Sequence, residues 1–351
     1  MGGTMLAARL HAPGDLRLEE VPIPEPEAGE VLVRVGACGI CASDVPRVLQ
    51  TGTYRFPLIP GHEFAGTVAA LGSGVTDWQA GDRVAVYPLL PCRECHECRA
   101  GRYELCDNYD YLGSRRDGAF AEYVVAPAGN LVRVPDGVPL ADAATTEPVA
   151  VALHALRRYG VQVPETVAVW GAGLIGTVVA QWARALGAKR VWLVDVIRER
   201  LHLARGVVEA ELVDGSQTDA VEALRAQTEG RGPELVIEAA GAPPATRQAL
   251  AAAAKAGCVV LLGNPSADVA VPRAEVSSIL RRQLTIRGSW NSSFWPEEAN
   301  EWREALEALA AGRIRVAPLI THRLPLTQAP DAFRMMAERR EFFSKVMLVW
   351  D

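Results

Sequence analysis

At 351 residues the chain is longer than one ordinary hydrophobic core holds, which predicts two domains. Apolar residues at 49% and charged residues at 22% exclude a disordered chain, and 31 glycines without a Gly-X-Y period exclude a collagen-like one. Thirty-six basic against 42 acidic residues give a net charge of −6; with no long Lys/Arg run, neither a nucleic-acid binder nor an anionic-membrane binder is expected. No stretch reaches about 18 consecutive apolar residues, and the opening MGGTMLAARLHAPGD lacks the pattern of a secretory leader, so the cytoplasm is the expected location.

From Met5 to Pro139 the chain is broken by Gly and Pro, with short β-rich runs VLVRVGACGI, GTVAAL, DRVAVYPLL and AEYVVAP; these predict a partly open β-barrel with long loops. Seven cysteines are an odd count. Cys38, Cys41 and Cys258 lie far from a cluster of four, Cys92, Cys95, Cys98 and Cys106, which is no disulfide framework. The cluster reads C-x2-C-x2-C-x7-C, so one looping segment presents four thiolates around one metal ion, a closed structural zinc site. A redox-active pair is the duller alternative, and an iron–sulfur cluster also accepts four cysteines. His96 lies inside the cluster, but four sulfurs already complete the shell.

LADAATTEPVAVALHALRRYG predicts a helix that connects the domains. The apolar runs TVAVW, VWLVD, AELVD, ELVIEAAG and CVVLLG then alternate with helical segments such as ATRQALAAAAKAG, the rhythm of a parallel α/β sheet. After the strand LTIRGSW, helices are expected from Pro296 to Gly312 and from Leu326 to Glu338, then a strand KVMLVW. This tail is too short for a domain of its own, and part of it is expected to return to the N-terminal unit.

The α/β part carries GAGLIG directly after TVAVW and at the start of a helical run. Gly171 permits a tight turn, Gly173 admits a pyrophosphate to the backbone, and Gly176 lets helix and strand pack closely; Leu174 and Ile175 complete the loop. Asp195 ends the next strand, 24 residues beyond Gly171, where an acidic residue accepts ribose hydroxyls. Its charge favours NAD over NADP, with Arg198 and Arg200 nearby as partial counterweights.

GICASD, with Cys41, Ser43 and Asp44, then PGHEFAG, with His62 and Glu63, and finally Glu147 offer a second set of metal ligands. Each alone has an ordinary reading as core or surface. Together with the cysteine loop and GAGLIG, in this order, they resemble the zinc-dependent medium-chain dehydrogenases over nearly the whole chain. The finer resemblance is to the polyol dehydrogenase branch, nearest its members acting on a phosphate such as galactitol 1-phosphate. It is carried by CASDVPRVL, PLIPGHEFAG, VYPLLPCRECHEC, YLGSRRDGAFAEYVV, EPVAVALHA and IRGSWNSSFWP. The sequence departs from many alcohol-processing members at Pro46 and Arg47, where a proton-relay histidine often stands.

The resemblance implies a GroES-like barrel domain over 1–154, completed by 291–351, and a Rossmann NAD-binding domain over 155–290, with the active site in the cleft between them. Cys41, His62 and Glu147 supply three ligands of an open zinc site whose fourth position takes the alcohol oxygen, so two zinc ions per chain are expected. Asp44 is the natural partner for the free nitrogen of His62, and Ser43 carries the proton outward. Glu63 is either a reserve ligand or an electrostatic group beside the metal shell. A phosphate would need cations, for which Arg47, six residues after Cys41, is the first choice and Arg115 and Arg116 are further candidates, beside the reading as solvated arginines or interdomain ion pairs; Trp290, Asn291 and Trp295 line the pocket or an oligomer contact, or serve as plain packing. His154 packs or caps its helix. The expected reaction is reversible oxidation of a secondary hydroxyl of a polyol or polyol phosphate to a ketose. Alternatives are a free-polyol or other secondary-alcohol dehydrogenase, and a non-catalytic NAD-binding protein of the same fold. LTIRGSW, as a sheet edge, predicts a homodimer or homotetramer.

Overall fold

The Gly/Pro-broken first part of the chain folds as nine strands: β1 (Thr4–Ala12), β2 (Asp15–Pro22), β3 (Glu30–Ile40), β4 (Glu63–Leu71), β5 (Arg83–Val86), β6 (Leu89–Leu90), β7 (Asp110–Tyr111), β8 (Tyr123–Pro127) and β9 (Leu131–Arg133). The structure, a computed structural model, describes residues 3–160, 164–295 and 300–350. DRVAVYPLL is interrupted between β5 and β6 at Tyr87 and Pro88, since proline has no N–H to give a ladder. Alternate residues of β1 and β3 turn into a core with Phe64, Phe120 and Phe333, the last two in an edge contact at 5.9 Å.

Six strands form a parallel sheet in the second part: β10 (Thr166–Trp170), β11 (Arg190–Asp195), β12 (Glu211–Asp214), β13 (Leu235–Glu238), β14 (Cys258–Leu261) and β15 (Thr285–Gly288), in the order β12-β11-β10-β13-β14-β15. This is the doubly wound order, whose direction reverses beside β10, the strand that runs into GAGLIG. Its central strands are buried on both faces, which is why they read as unbroken apolar runs. Among the described residues no helix is long and apolar enough to cross a membrane.

In the tail, the helix Glu301–Ala310 is capped by Asn300, whose side chain accepts from the amides of Trp302 and Arg303 at 3.0 and 3.1 Å. The earlier start expected at Pro296 lies outside the described residues. Two further strands follow, β16 (Ile320–Pro325), which was not expected, and β17 (Lys345–Val349), with the helix Ala329–Glu338 between them. β17 lies between β16 and β3, in a sheet ordered β16-β17-β3-β4-β5-β9. The long β3 has two partners on one side: Glu30 to Arg34 pair with β8, and Ala37 to Ile40 pair with β17.

The chain divides into two compact units, residues 1–147 with 293–312 and 320–351, and residues 148–292 with 313–319. Two details differ from expectation. The connecting helix is two helices, Leu140–Ala143 and Thr146–Arg157, because the hydroxyls of Thr145 and Thr146 donate back to the carbonyls of Asp142 and Ala143, both at 2.6 Å. The boundary falls at 147/148 rather than 154/155: Trp182 Nε1 donates to the Val149 carbonyl at 3.1 Å and ties the second helix to the α/β unit.

Residues 313–319 also belong to the α/β unit, although 291–351 was expected to complete the first. Gln181, on the helix after GAGLIG, accepts from Arg315 N at 2.7 Å and donates to Arg315 O at 3.1 Å. Gln181→Leu strips both partners from that backbone, and we expect it to lose about 2 kcal/mol of stability in denaturant titration. An unchanged midpoint would show that other contacts hold the segment.

Candidate active site and metal centres

The first cluster is built by register. β17, β3 and β4 are adjacent, with Val346 opposite Ile40 and Gly39 opposite Glu63, so one end of three strands gathers Cys41, His62, Glu63 and Lys345. The ligand atoms of Cys41, His62 and Glu63 all lie within 4.8 Å of one another. Asp44 is fully buried: its Oδ2 accepts from Cys41 N at 3.2 Å, and its Oδ1 lies 3.3 Å from His62 Nδ1. Burial alone would push the His62 imidazole down, but Asp44 outweighs it and the ring is held well above its usual range. Ser43 Oγ sits 3.2 Å from Cys41 Sγ and is open to solvent.

Glu147 was expected as the third ligand, with Glu63 beside the shell. The structure instead groups Glu63 with Cys41 and His62, and Glu147, in the first turn of the helix Thr146–Arg157, is not among the atoms within 4.8 Å. The reason is the β3–β4 register, which sets Glu63 against Gly39. Glu63 is nevertheless engaged, its Oε2 pairing with Lys345 Nζ at 2.5 Å, while Lys345 also donates to Ile40 O at 3.2 Å. Loss of hydration, reinforced by Glu63, pushes the Glu147 carboxyl up to about 7. Lys345 was missed by sequence reasoning; its only signal is a cation opening the apolar run KVMLVW.

The second cluster lies between β6 and β7. Cys92, Cys95, Cys98 and Cys106 present sulfurs within 4.8 Å of one another. The Cys92–Cys98 and Cys95–Cys106 pairs are 4.0 and 3.9 Å apart, near the edge of about 3.8 Å that a tetrahedron with 2.3 Å Zn–S bonds requires. Backbone amides already point at sulfur: Cys92 N to Cys106, Cys95 N to Cys92 and Cys98 N to Cys95, at 3.2 to 3.4 Å. The amide of Cys98 is the largest influence bringing the Cys95 thiol down to about 6. The residues fit a four-thiolate zinc site.

In the α/β unit the three glycines act differently. Gly171 has φ +103°, and a Cβ there would come within 3.0 Å of Ala240 N. Around Gly173, the N-cap of the helix Leu174–Ala185, a Cβ would meet open space, as close approach of a ligand requires. A side chain on Gly176 would collide with Gly171 O. Leu174 is buried and Ile175 half-buried. Asp195 accepts from Ala172 N and Ile197 N at 2.7 and 2.8 Å, and Arg200 lies 3.5 Å away. Each carboxylate oxygen keeps a lone pair for a ribose hydroxyl.

The proposed substrate residues are scattered in role. Arg47 donates to Asp44 at 2.6 Å, so it braces the buried carboxylate rather than standing free for a phosphate. Arg116 pairs with Asp110 at 2.8 Å and lies 3.7 Å from Glu30. Arg115 lies over the rings of Tyr54 and Tyr109. Trp290 is exposed, Asn291 is left-handed at φ +53° with its buried Nδ2 lacking a partner, and Trp295 stacks on Tyr103.

Residues 27–136 match the alcohol dehydrogenase GroES-like domain, and residues 175–311 match the zinc-binding dehydrogenase domain. The chain belongs to the zinc-binding alcohol dehydrogenase family, with a GroES-like unit and a Rossmann-type unit. Galactitol 1-phosphate 5-dehydrogenase of Escherichia coli K12 is 37% identical, over 96% of this chain and 97% of its own. The crystal structure of galactitol-1-phosphate dehydrogenase from E. coli superposes with a TM-score of 0.91 at 38% identity, covering 99% of this chain and 100% of that one. Sorbitol dehydrogenase of Bacillus subtilis is 33% identical over 98% of this chain and 97% of its own. A zinc-binding dehydrogenase structure from Sinorhizobium meliloti bound to NADP has a TM-score of 0.90 at 33% identity, covering 99% of this chain and 100% of that one.

Elemental analysis of the intact protein should give two zinc ions per chain. Cys41→Ser should lose one of them together with activity while keeping the fold, and Cys98→Ser should lose the other together with stability. Full activity in Cys41→Ser would refute the assignment. Lys345→Met leaves Glu63 buried without its partner and should destabilise by roughly 3–5 kcal/mol, most of it recovered when Glu63→Gln is added. A melting comparison of the two variants reads this directly.

Proposed function

We propose that this dehydrogenase oxidises a secondary hydroxyl of a polyol phosphate, of the galactitol 1-phosphate kind, to the ketose, reversibly and with NAD. The observation that carries the reading is the cluster of Cys41, His62 and Glu63 at the ends of adjoining strands, with Glu147 on a helix close enough for Glu63 to raise its carboxyl, in a chain similar along nearly its whole length to polyol dehydrogenases. When bound, zinc supplies the Lewis acidity that lowers the pKa of a neighbouring alcohol, and NAD accepts the hydride. Cys41, His62 and Glu147 hold the metal. Two things favour Glu147 over Glu63: Glu63 is held by Lys345, and Glu147 has no hydrogen bond or ion pair among the described residues.

Asp44 beside Nδ1 draws the His62 proton to that nitrogen and leaves Nε2 with its lone pair for the metal. Ser43, between Cys41 and solvent, passes the released proton outward in one step, which suits a chain with Pro46 where relatives often carry a relay histidine. Arg47 acts through Asp44, so Arg47→Ala should lower kcat/KM for galactitol 1-phosphate and free galactitol alike. A loss confined to the phosphate would return Arg47 to a substrate-binding role.

The preference for NAD rests on Asp195. Asp195→Ala should narrow the NAD/NADP ratio of kcat/KM by roughly tenfold, about 1.4 kcal/mol. An unchanged ratio would mean that another residue reads the ribose. A cytoplasmic location suits the seven free cysteines.

We further infer a homodimer or homotetramer through β15, the edge of the parallel sheet. All four of its residues are exposed, and Ile286 on the strand and Leu280 on the preceding helix are 43% and 71% exposed. Sedimentation should find an oligomer for the native protein and a monomer for Ile286→Lys. A native monomer at micromolar concentration would end this reading.

A further inference from the structure

The geometry points to Arg115 as the residue that selects for the anionic end of the substrate; this rests on the polyol phosphate reading above. Arg115 is clamped between aromatic faces, its Cζ 4.1 Å from the Tyr54 ring centre and 4.4 Å from that of Tyr109. Its Nε is buried with no hydrogen-bond partner, and among the described residues no carboxylate pairs with its guanidinium. The neighbouring cations are already neutralised: Arg47 by Asp44, Arg55 by Asp117 and Arg116 by Asp110. Two rings hold a guanidinium by its faces and leave its N–H edges free, the arrangement that suits bidentate capture of a phosphate monoester.

The clamp is tied to the metal site. Tyr109 meets Tyr111 edge-on at 6.1 Å, and Tyr111 meets the His62 ring edge-on at 5.7 Å. Arg115 N donates to Tyr111 O at 2.9 Å, and Arg55 Nε donates to Arg115 O at 3.1 Å. The turn packs on Gly61, the residue before His62: Gly118 N donates to Ile59 O at 2.7 Å and Ala119 N to Gly61 O at 2.9 Å. A Cβ on Gly113 would lie 2.6 Å from Gly61 O, and one on Gly118 would collide with the same oxygen. The distance from Arg115 to His62 is therefore set by backbone contact, and a substrate with its hydroxyl and phosphate at the wrong separation cannot satisfy both.

The test measures kcat/KM for galactitol 1-phosphate and for galactitol with the zinc-loaded enzyme and NAD, and calorimetric binding of galactitol 1-phosphate in the absence of NAD. The native enzyme should prefer the ester. Arg115→Ala should lower the ester-to-polyol ratio roughly ten- to hundredfold, through KM more than kcat, and weaken calorimetric binding by a similar factor. Arg115→Lys should fall between the two, and Tyr54→Leu, which removes one face of the clamp, should lower the ratio several-fold. Zinc content checks that each variant is folded; should Arg115→Ala fail there, Arg115→Gln and Arg115→Lys carry the comparison. A native preference for the ester that persists in the Arg115 variants overturns this assignment and leaves the proposed function standing. A native enzyme that turns over galactitol as well as its phosphate overturns the proposed function, and the assignment with it.

Discussion

The pair between Glu63 and Lys345 ties the metal site to the fold. Both side chains are almost fully buried and 282 positions apart in the chain. Taking an ammonium and a carboxylate out of water is unfavourable, and here it is offset by a 2.5 Å contact and by the additional bond from Lys345 to Ile40 O. Gly39 between them makes room, since a side chain there would strike Glu63 Oε2. The result is a seam across β17, β3 and β4 at the strand ends beside which Cys41 and His62 stand. The C-terminal strand thus braces the candidate metal site although it contributes no proposed ligand, and it ties its part of the tail to the first unit.

Legibility in the sequence followed the range of the interactions. The cysteine loop and GAGLIG are local: spacing alone brings four sulfurs or three glycines together, and the same residues stand together in the structure. The alternation of short apolar runs with helical segments likewise exposed the parallel sheet, because strands buried on both faces carry that pattern in their own residues. Lys345 was invisible because its meaning comes from a partner on a distant strand. Residues 313–319 were misassigned for the same reason, since their partners, among them the Gln181 side chain and the Gly206 carbonyl, lie on distant elements. The break at Thr145 and Thr146 was readable in principle, because hydroxyls that return to the preceding carbonyls are a local feature, but the alanine-rich periodicity around them masked it.

Arginines in the barrel unit show how little sequence says about the availability of a charge. Arg47, Arg115 and Arg116 were all candidate phosphate cations in the sequence, with Arg47 the first choice because it lies six residues after Cys41. Folding spends two of them on Asp44 and Asp110, and those carboxylates are brought within reach by a tight turn and by a two-residue strand. Of the three, Arg115 is held by aromatic faces, which fix its position without cancelling its charge.

The same accounting of charge explains why the strand-end cluster suits a divalent ion. Asp44, Glu63, Glu147 and an ionised Cys41 are four anions, and Lys345 and Arg47 are two fixed cations bound to Glu63 and Asp44. The pairs leave Cys41 and Glu147 uncompensated. Lost hydration and Glu63 push the Glu147 carboxyl up to about 7, and Asp44 holds the His62 imidazole above its usual range, each favouring the protonated form. A divalent ion with neutral His62 replaces those protons and brings the cluster to neutrality, so its binding releases protons and weakens as pH falls. With Glu63 and Asp44 each braced by its own cation, the remaining negative charge is confined to the thiolate and one carboxylate. Those are the two anionic groups the proposed shell assigns to zinc.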